Sequence, residues 1–507
     1  MSTADNRIAK NTLFLYIRMF FVLIVSLYTS RVVINTLGVS DYGVYDVVAG
    51  FVSLFTFLNA TLTSSMQRFF NYENGINGSL GFNRVYSTGL RIHMILAVVI
   101  FVVLETFGIW YVNNVMVLPA ERLFAANVVF QVSVISMVMV IIEIPYISAI
   151  MAQERMNFYA LVSIVDVLLK LLIVLALPFL PYDKLITYAT LVLIITITDF
   201  LLYFIYAKRQ FQLHSEKDIN KELSKQLMSF SVWNLVGTFS FMLKGQGVNL
   251  VLNSFFGTII NAARGVAFQV YNGVVGFSSS ISIAYRPQVV EAYAKKEYSR
   301  FVKLSFTQAK VCYALLYILS VPLIMEIDLV LKIWLGETVP DDANIFTILV
   351  LIDAVVCTLI TPFTQMVFST GKIKDYQIVM SIINLLLVPF CWLALKMGYK
   401  ATSVFVVTVL FSIINLILNI FLVKHVYSFS ISQYLKNVII PCSVLTIFLP
   451  IVPYLIKISM DSSWLRLLLI ILSELLIAIA LLLVVFNKEE KTKLFSIFKK
   501  KYNNWVL

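Results

Sequence analysis

Arg18, Lys244 and Arg264 each fall inside a run of apolar residues long enough to cross a bilayer. An ionisable side chain at bilayer depth costs a few kcal/mol on insertion scales, so such residues face a bundle interior or a water-filled cavity. The runs that carry Arg18 and Lys244 contain no acidic residue, and Lys244 sits in SFMLKGQGVNL, where Gly245 and Gly247 permit close helix packing or a local kink. Positive charge without a carboxylate of its own invites an anion, and a multiply charged phosphate suits it. Pairing with carboxylates from other runs is the alternative.

The acidic residues inside apolar runs have two readings. Glu105, Glu143, Asp199 and Asp353 are either buried and hydrogen-bonded or protonation sites, and Glu143, Asp199 and Asp353 are the candidates for coupling to H+ or Na+. Asp166 and Lys170 are four apart on one helix face and can neutralise each other. Arg31 and Arg122 lie near the ends of their runs, where a long side chain reaches the interface. His93, His214 and His425 lack ligand spacing, and Cys312, Cys357, Cys391 and Cys442 lie in apolar runs as small hydrophobes, so neither a metal nor any other cofactor is expected.

What must position these residues is a bundle of membrane helices. With 507 residues, 60% hydrophobic and 13% charged, and a mean hydropathy of +0.90, the chain reads as an all-α polytopic membrane protein. About fourteen transmembrane helices are predicted, at 11–35, 42–66, 88–112, 123–150, 158–178, 184–207, 227–252, 258–284, 302–326, 343–369, 376–397, 401–425, 434–457 and 464–486. An even number places both termini on one side. If that side is the cytoplasm, it holds 27 of the 39 Lys and Arg residues and the opposite side 8, which sets the orientation. The net charge of +12 then needs no nucleic-acid partner.

The chain also repeats itself. A shift of 218 positions pairs Asn35 with Asn253, Val48 with Val266, Ala49 with Ala267, Val52 with Val270, Ser64 with Ser282, Arg68 with Arg286 and Glu73 with Glu291. A shift of 217 then pairs Pro145 with Pro362, Arg155 with Lys372 and Tyr159 with Tyr376. This pattern predicts an N-terminal six-helix lobe (1–207), a cytoplasmic linker (208–226), a C-terminal six-helix lobe (227–425), two additional helices (426–486) and a basic cytoplasmic tail (487–507). Repeats of six helices run in the same sense, related by an axis along the membrane normal. The 218-residue shift also pairs Asp46 with Arg264, which suggests an external gate in which the two lobes latch; Asp46 paired with Arg31 inside its own lobe is the alternative. The longest external loop, 327–344, is too short for the catalytic loop of a membrane glycosyltransferase or polysaccharide polymerase.

The opening KNTLFLYIRMFFVLIVSLYTSRVVINTLGVSDYGVYDVV, followed by TSSMQRFFNYENG, resembles bacterial polysaccharide exporters of the O-antigen flippase type, in the superfamily that also holds multidrug extruders and lipid II flippases. The resemblance implies a V-shaped bundle of two six-helix lobes working by alternating access. Its implied substrate is an undecaprenyl-pyrophosphate-linked oligosaccharide, an O-antigen or capsule repeat unit, moved to the outer leaflet of the bacterial inner membrane. It implies membrane lipids as surroundings, with the polyprenyl tail beside the last two helices, and a polysaccharide polymerase as a possible partner. It further implies that Arg18, Lys244 and Arg264 bind the head group and that no bond is made or broken, so the protein is not an enzyme; coupling to H+ or Na+ stays open, with Asp46 a further candidate. Lysine at 244 departs from the bidentate donor an arginine would supply. A cation-coupled drug extruder is the alternative within the same fold. Sugar recognition would rest on polar residues such as Asn59, Gln246, Asn249, Asn253 and Gln269.

Overall fold

The computed structural model describes residues 3–485 except 54, 56, 115, 117, 215–220, 257, 336–338 and 428; among the side chains outside the described set are those of Arg31, Asp46 and Asn253. The basic tail predicted at 487–507 lies wholly outside the described residues. Among the described residues the chain is all-helical: α1 Thr3–Leu37, α2 Val39–Ser53, α3 Phe57–Val103, α4 Ile109–Asn114, α5 Leu123–Ala152, α6 Met156–Ala176, α7 Lys184–Phe211, α8 Lys221–Phe256, α9 Thr258–Ala294, α10 Tyr298–Met325, α11 Ile327–Leu335, α12 Ala343–Thr370, α13 Lys374–Lys396, α14 Thr402–Val426, α15 Ile431–Tyr434, α16 Ile440–Phe448, α17 Ile451–Ser459 and α18 Trp464–Val485.

Eleven stretches of the described chain are long and apolar enough to span a membrane, so this is a multi-pass membrane protein. One of them, Val48–Asn114, takes in the predicted second and third spans. The link between those spans is helical too, and Gly78, with φ 59° and ψ −142°, is the one non-helical residue inside α3. Only glycine adopts that backbone without a Cβ penalty, so a single residue bends what would otherwise be a continuous rod. α1 and α9 match the predicted first and eighth spans in place, and α9 is the more polar for Arg264, Gln269, Asn272 and a run of serines. The predicted external loop 327–344 holds an amphipathic helix, α11.

Burial is inverted relative to a water-soluble bundle. On α18 the outward faces of Leu468, Leu472, Leu476 and Ile479 are exposed, whereas Ile470, Glu474 and Ala478, spaced at four, are buried. A helix that hides its carboxylate and displays its leucines is solvated by lipid.

The described residues form two compact units, Asn11–Leu235 and Met1–Lys10 with Val236–Leu507, the second including α15–α18. In the first, α3 packs on α5 and α5 on α7; in the second, α9 packs on α12 and α12 on α14. The same packing order thus recurs, and the prolines matched in sequence, Pro145 and Pro362, both lie buried inside the central helix of each set. Glycines permit close approach at α8: a Cβ on Gly237 would overlap the Gln377 carboxamide, and one on Gly247 would stand 2.7 Å from Val388 Cγ2. Gly247 therefore serves packing against α13, while nothing lies within 4 Å of the corresponding point on Gly245.

In the N-terminal unit, Arg122 does more than reach an interface. Its Nε and Nη2 donate to Asp41 at 2.8 and 2.6 Å, and Nη1 donates to Asp183 at 2.6 Å. One guanidinium therefore joins the start of α2, the start of α5 and the N-cap of α7, where Asp183 also accepts from the Ile186 amide. Hydrogen bonding from Arg122 holds the Asp183 carboxyl below the usual carboxylate range. Stability from that depression is complete above the unfolded-state carboxylate value of about 4 and is lost as pH falls through the lower folded value. The melting temperature in detergent is therefore expected to stay level from pH 7 to about 5 and to drop below about 4. Arg122→Ala should cost on the order of 1 kcal/mol at pH 7 and flatten the acid limb. An unchanged acid limb in the variant would assign the pH response to other groups.

Candidate functional site

The C-terminal unit brings Lys244 and Arg264 onto neighbouring helices. Arg264, on α9, donates through Nη2 to the carbonyl of Gly245 at 3.1 Å and through Nη1 to Asn249 Oδ1 at 3.4 Å, so its head group lies against the turn of α8 that follows Lys244. Its guanidinium also covers the Phe268 ring at 4.3 Å, and its Nε is buried without a hydrogen-bond partner. A guanidinium has five N–H donors, and two neutral acceptors leave it under-satisfied. Lys244 lies over the Phe241 ring at 5.8 Å and within electrostatic reach of Asp353, Cys357 and Cys391. Asp353 in turn is engaged by Ser412. Neither basic residue makes a salt bridge among the described residues.

Arg18 belongs to the other unit. It lies over the Tyr159 ring at 4.7 Å with its Nε buried and unpartnered, and it too makes no salt bridge among the described residues. Two of the three members of the expected gate, Asp46 and Arg31, have side chains outside the described set. Of the polar residues considered for sugar recognition, Asn249 is occupied by Arg264 and Asn59 accepts from Thr63 Oγ1 at 3.1 Å, whereas Gln246 and Gln269 are exposed.

The carboxylates separate into two groups. Asp353 stands in the C-terminal unit opposite Lys244. Glu143 and Asp199 meet in the N-terminal unit, together with Asp166 and Lys170, which the sequence presents only as a local pair. Lys170 Nζ is 2.7 Å from Asp166, and the Asp199 carboxyl contacts that of Asp166, with Tyr203 and Ser163 alongside. Carboxyl groups from α5, α6 and α7 thus lie together, with Lys170 serving Asp166 and Asp199. Like charges in contact repel, so the cluster is a place where a proton or a monovalent cation would relieve strain. Glu143 is 6% exposed, which removes solvent as the compensating medium.

Two further acidic sites lie outside those singled out from the sequence. Glu326, at the end of α10, forms a buried pair with Arg466 of α18. Glu474 is 1% exposed, has an unpartnered Oε1 and acts on Tyr317. Its position within an apolar run is a signal that the sequence offers.

No protein-family model matches the sequence, and no curated protein matches it. Comparison with solved structures, by contrast, gives matches over most of the chain. A MATE transporter in its straight conformation matches with a TM-score of 0.73 over 85% of this chain and 97% of its own, at 13% identity. An outward-facing multidrug resistance MATE family transporter of the MOP superfamily matches at 0.71, covering 84% and 98%, again at 13% identity. A MOP superfamily transporter from Pyrococcus furiosus, described as having a binding pocket of reversed polarity that suggests a different function, matches at 0.70 over 86% and 99%, at 12% identity. The fold is that of MATE transporters.

Proposed function

We propose that this chain is a membrane transporter that works by alternating access and moves an undecaprenyl-pyrophosphate-linked oligosaccharide from the inner to the outer leaflet of the bacterial cytoplasmic membrane, with both termini cytoplasmic. The observation that carries the reading is the under-satisfied Arg264 guanidinium beside Lys244, inside membrane helices and without a salt bridge among the described residues. A diphosphate supplies what they lack: two negative groups and several acceptor oxygens. Within the N-terminal unit, Arg18 is a further cation without a salt bridge among the described residues. Sugars and diphosphate cannot enter hydrocarbon, whereas a polyprenyl chain can, so the protein need shelter only the head group. The P. furiosus protein offers a precedent, by its own description, for this fold with a pocket of reversed polarity.

A cation-coupled multidrug extruder is the second reading, favoured by the multidrug transporter among the structural neighbours and by the acid cluster of the N-terminal unit. Purified protein in liposomes separates them. Transbilayer movement of a pyrophosphate-linked oligosaccharide lipid supports the flippase; efflux of a cationic dye with no lipid movement by correctly oriented protein supports the extruder.

In either reading the Glu143, Asp166 and Asp199 cluster is the coupling site, taking up H+ or Na+ as transport proceeds. Asp199→Asn and Glu143→Gln should abolish the acceleration that an imposed gradient gives, while leaving slow downhill movement intact. The check is the ratio of rates with and without each gradient. A wild type indifferent to both gradients would remove coupling, and variants that keep the full acceleration would move it elsewhere.

A further inference from the structure

The first turns of α8 have two faces with different chemistry. Leu223, Leu227, Phe230, Ser231 and Asn234 point inward, where Phe230 meets Phe69 ring to ring and the Asn234 amide reaches Thr61 O, Ser64 Oγ and Ser65 Oγ at 3.1–3.2 Å. The opposite face lines an open groove of about 550 Å³. Its composition is graded along the axis. Lys221 and Lys225 stand at the start, both exposed; Ser224 and Ser229 follow; Met228, Val232 and Trp233 close the deeper end. From Lys221 to Trp233 the helix rises about 18 Å. Neither lysine makes a salt bridge among the described residues, and Glu222, the acidic residue of the same turn, is engaged by Gln226 on the adjoining face at 3.4 Å.

We propose that this groove binds an anionic glycerophospholipid of the leaflet at which α8 begins, with its phosphate between Lys221 and Lys225 and an acyl chain along Met228 and Val232. Three features select this occupant. The lysines attract anionic head groups at the membrane surface. With the phosphate at the lysines, the hydroxyls of Ser224 and Ser229 are placed to donate to the glycerol and ester oxygens. Trp233 sits beyond them and, with Met228 and Val232, supplies apolar surface for the chain. The chain's own tail is a poor rival, because Lys488, Lys491, Lys493, Lys499, Lys500 and Lys501 would meet like charge.

The inference is independent of the transport substrate, and lipid retention tests it directly. Full-length protein is reconstituted in nanodiscs of equal phosphatidylglycerol and phosphatidylcholine, released, and the bound lipids counted by native mass spectrometry. The wild type should retain phosphatidylglycerol in clear excess. Lys221→Ala with Lys225→Ala should lower that excess about tenfold, Lys221→Arg with Lys225→Arg should keep it, and Arg209→Ala, which removes a basic residue from the neighbouring end of α7, should leave it unchanged. An alanine double variant that retains wild-type lipid, or an Arg209→Ala variant that loses as much, would overturn the proposal, since the first would empty the lysines of their role and the second would reduce the preference to bulk charge.

Discussion

Arg264→Ala is expected to reduce transbilayer movement of a pyrophosphate-linked oligosaccharide lipid roughly a hundredfold. Among the described residues the guanidinium has two neutral acceptors, Gly245 O and Asn249 Oδ1, and an Nε with none, which leaves donor capacity for an anionic head group. Charge-assisted hydrogen bonds contribute about 1.5–3 kcal/mol each, and losing one or two of them to a diphosphate is about 3 kcal/mol, or two powers of ten. Lys244→Ala should cost less, about tenfold, because an ammonium binds phosphate as a point charge rather than a fork. Arg264→Lys should fall between the two. The measurement is the initial rate of lipid movement in liposomes, alongside thermal melting, since removing the bond to Gly245 O alone should lower stability by only about 1 kcal/mol. If Arg264→Ala moved lipid at the wild-type rate, the head group would have to bind elsewhere. If it lost stability in proportion to rate, the arginine would be a packing device between α8 and α9.

What could be read from the sequence and what could not divide along the range of the interactions. Hydropathy and a helical period are local properties, so the apolar runs locate the helices well, and Pro145 and Pro362 identify equivalent central helices before any contact is known. The Asp166 and Lys170 pair is equally local and forms as expected. Long-range partners are invisible to the same reasoning. Arg122 looks like an interfacial arginine in sequence because Asp41 and Asp183, its partners, lie 81 and 61 positions away. Asp199 gives no sign that it meets Asp166, and nothing near Gly78 reveals that the intervening segment stays helical on both sides of it. Arg264 shows the limit most clearly. Its charge is legible, but the absence of a salt bridge to it among the described residues is a statement about every helix packed around it.

A second large effect is expected at the pair that fastens α18 to α10. Arg466 Nε stands 2.6 Å from Glu326 Oε1, Nη2 donates to Oε2 at 2.7 Å, and Nη1 donates to Met460 O at 2.7 Å. The Glu326 side chain is 1% exposed and that of Arg466 11%. Arg466→Ala would leave a carboxylate in a site that water does not reach, and breaking a buried pair from one side costs about 3–5 kcal/mol. In detergent this should lower the melting temperature by about 3–5 °C. Replacing both partners, Arg466→Met with Glu326→Leu, should recover most of the loss, because two buried charges give way to apolar side chains of similar volume. Arg466→Lys should recover only part, since the carbonyl of Met460 and both carboxylate oxygens are held by one planar fork. The order alanine, lysine, double variant, wild type in rising stability is the result that a buried ion pair demands. A small loss in Arg466→Ala would mean that water or another cation reaches Glu326, and that the C-terminal helices are held instead by the hydroxyls of Tyr313 and Tyr317 on Thr446.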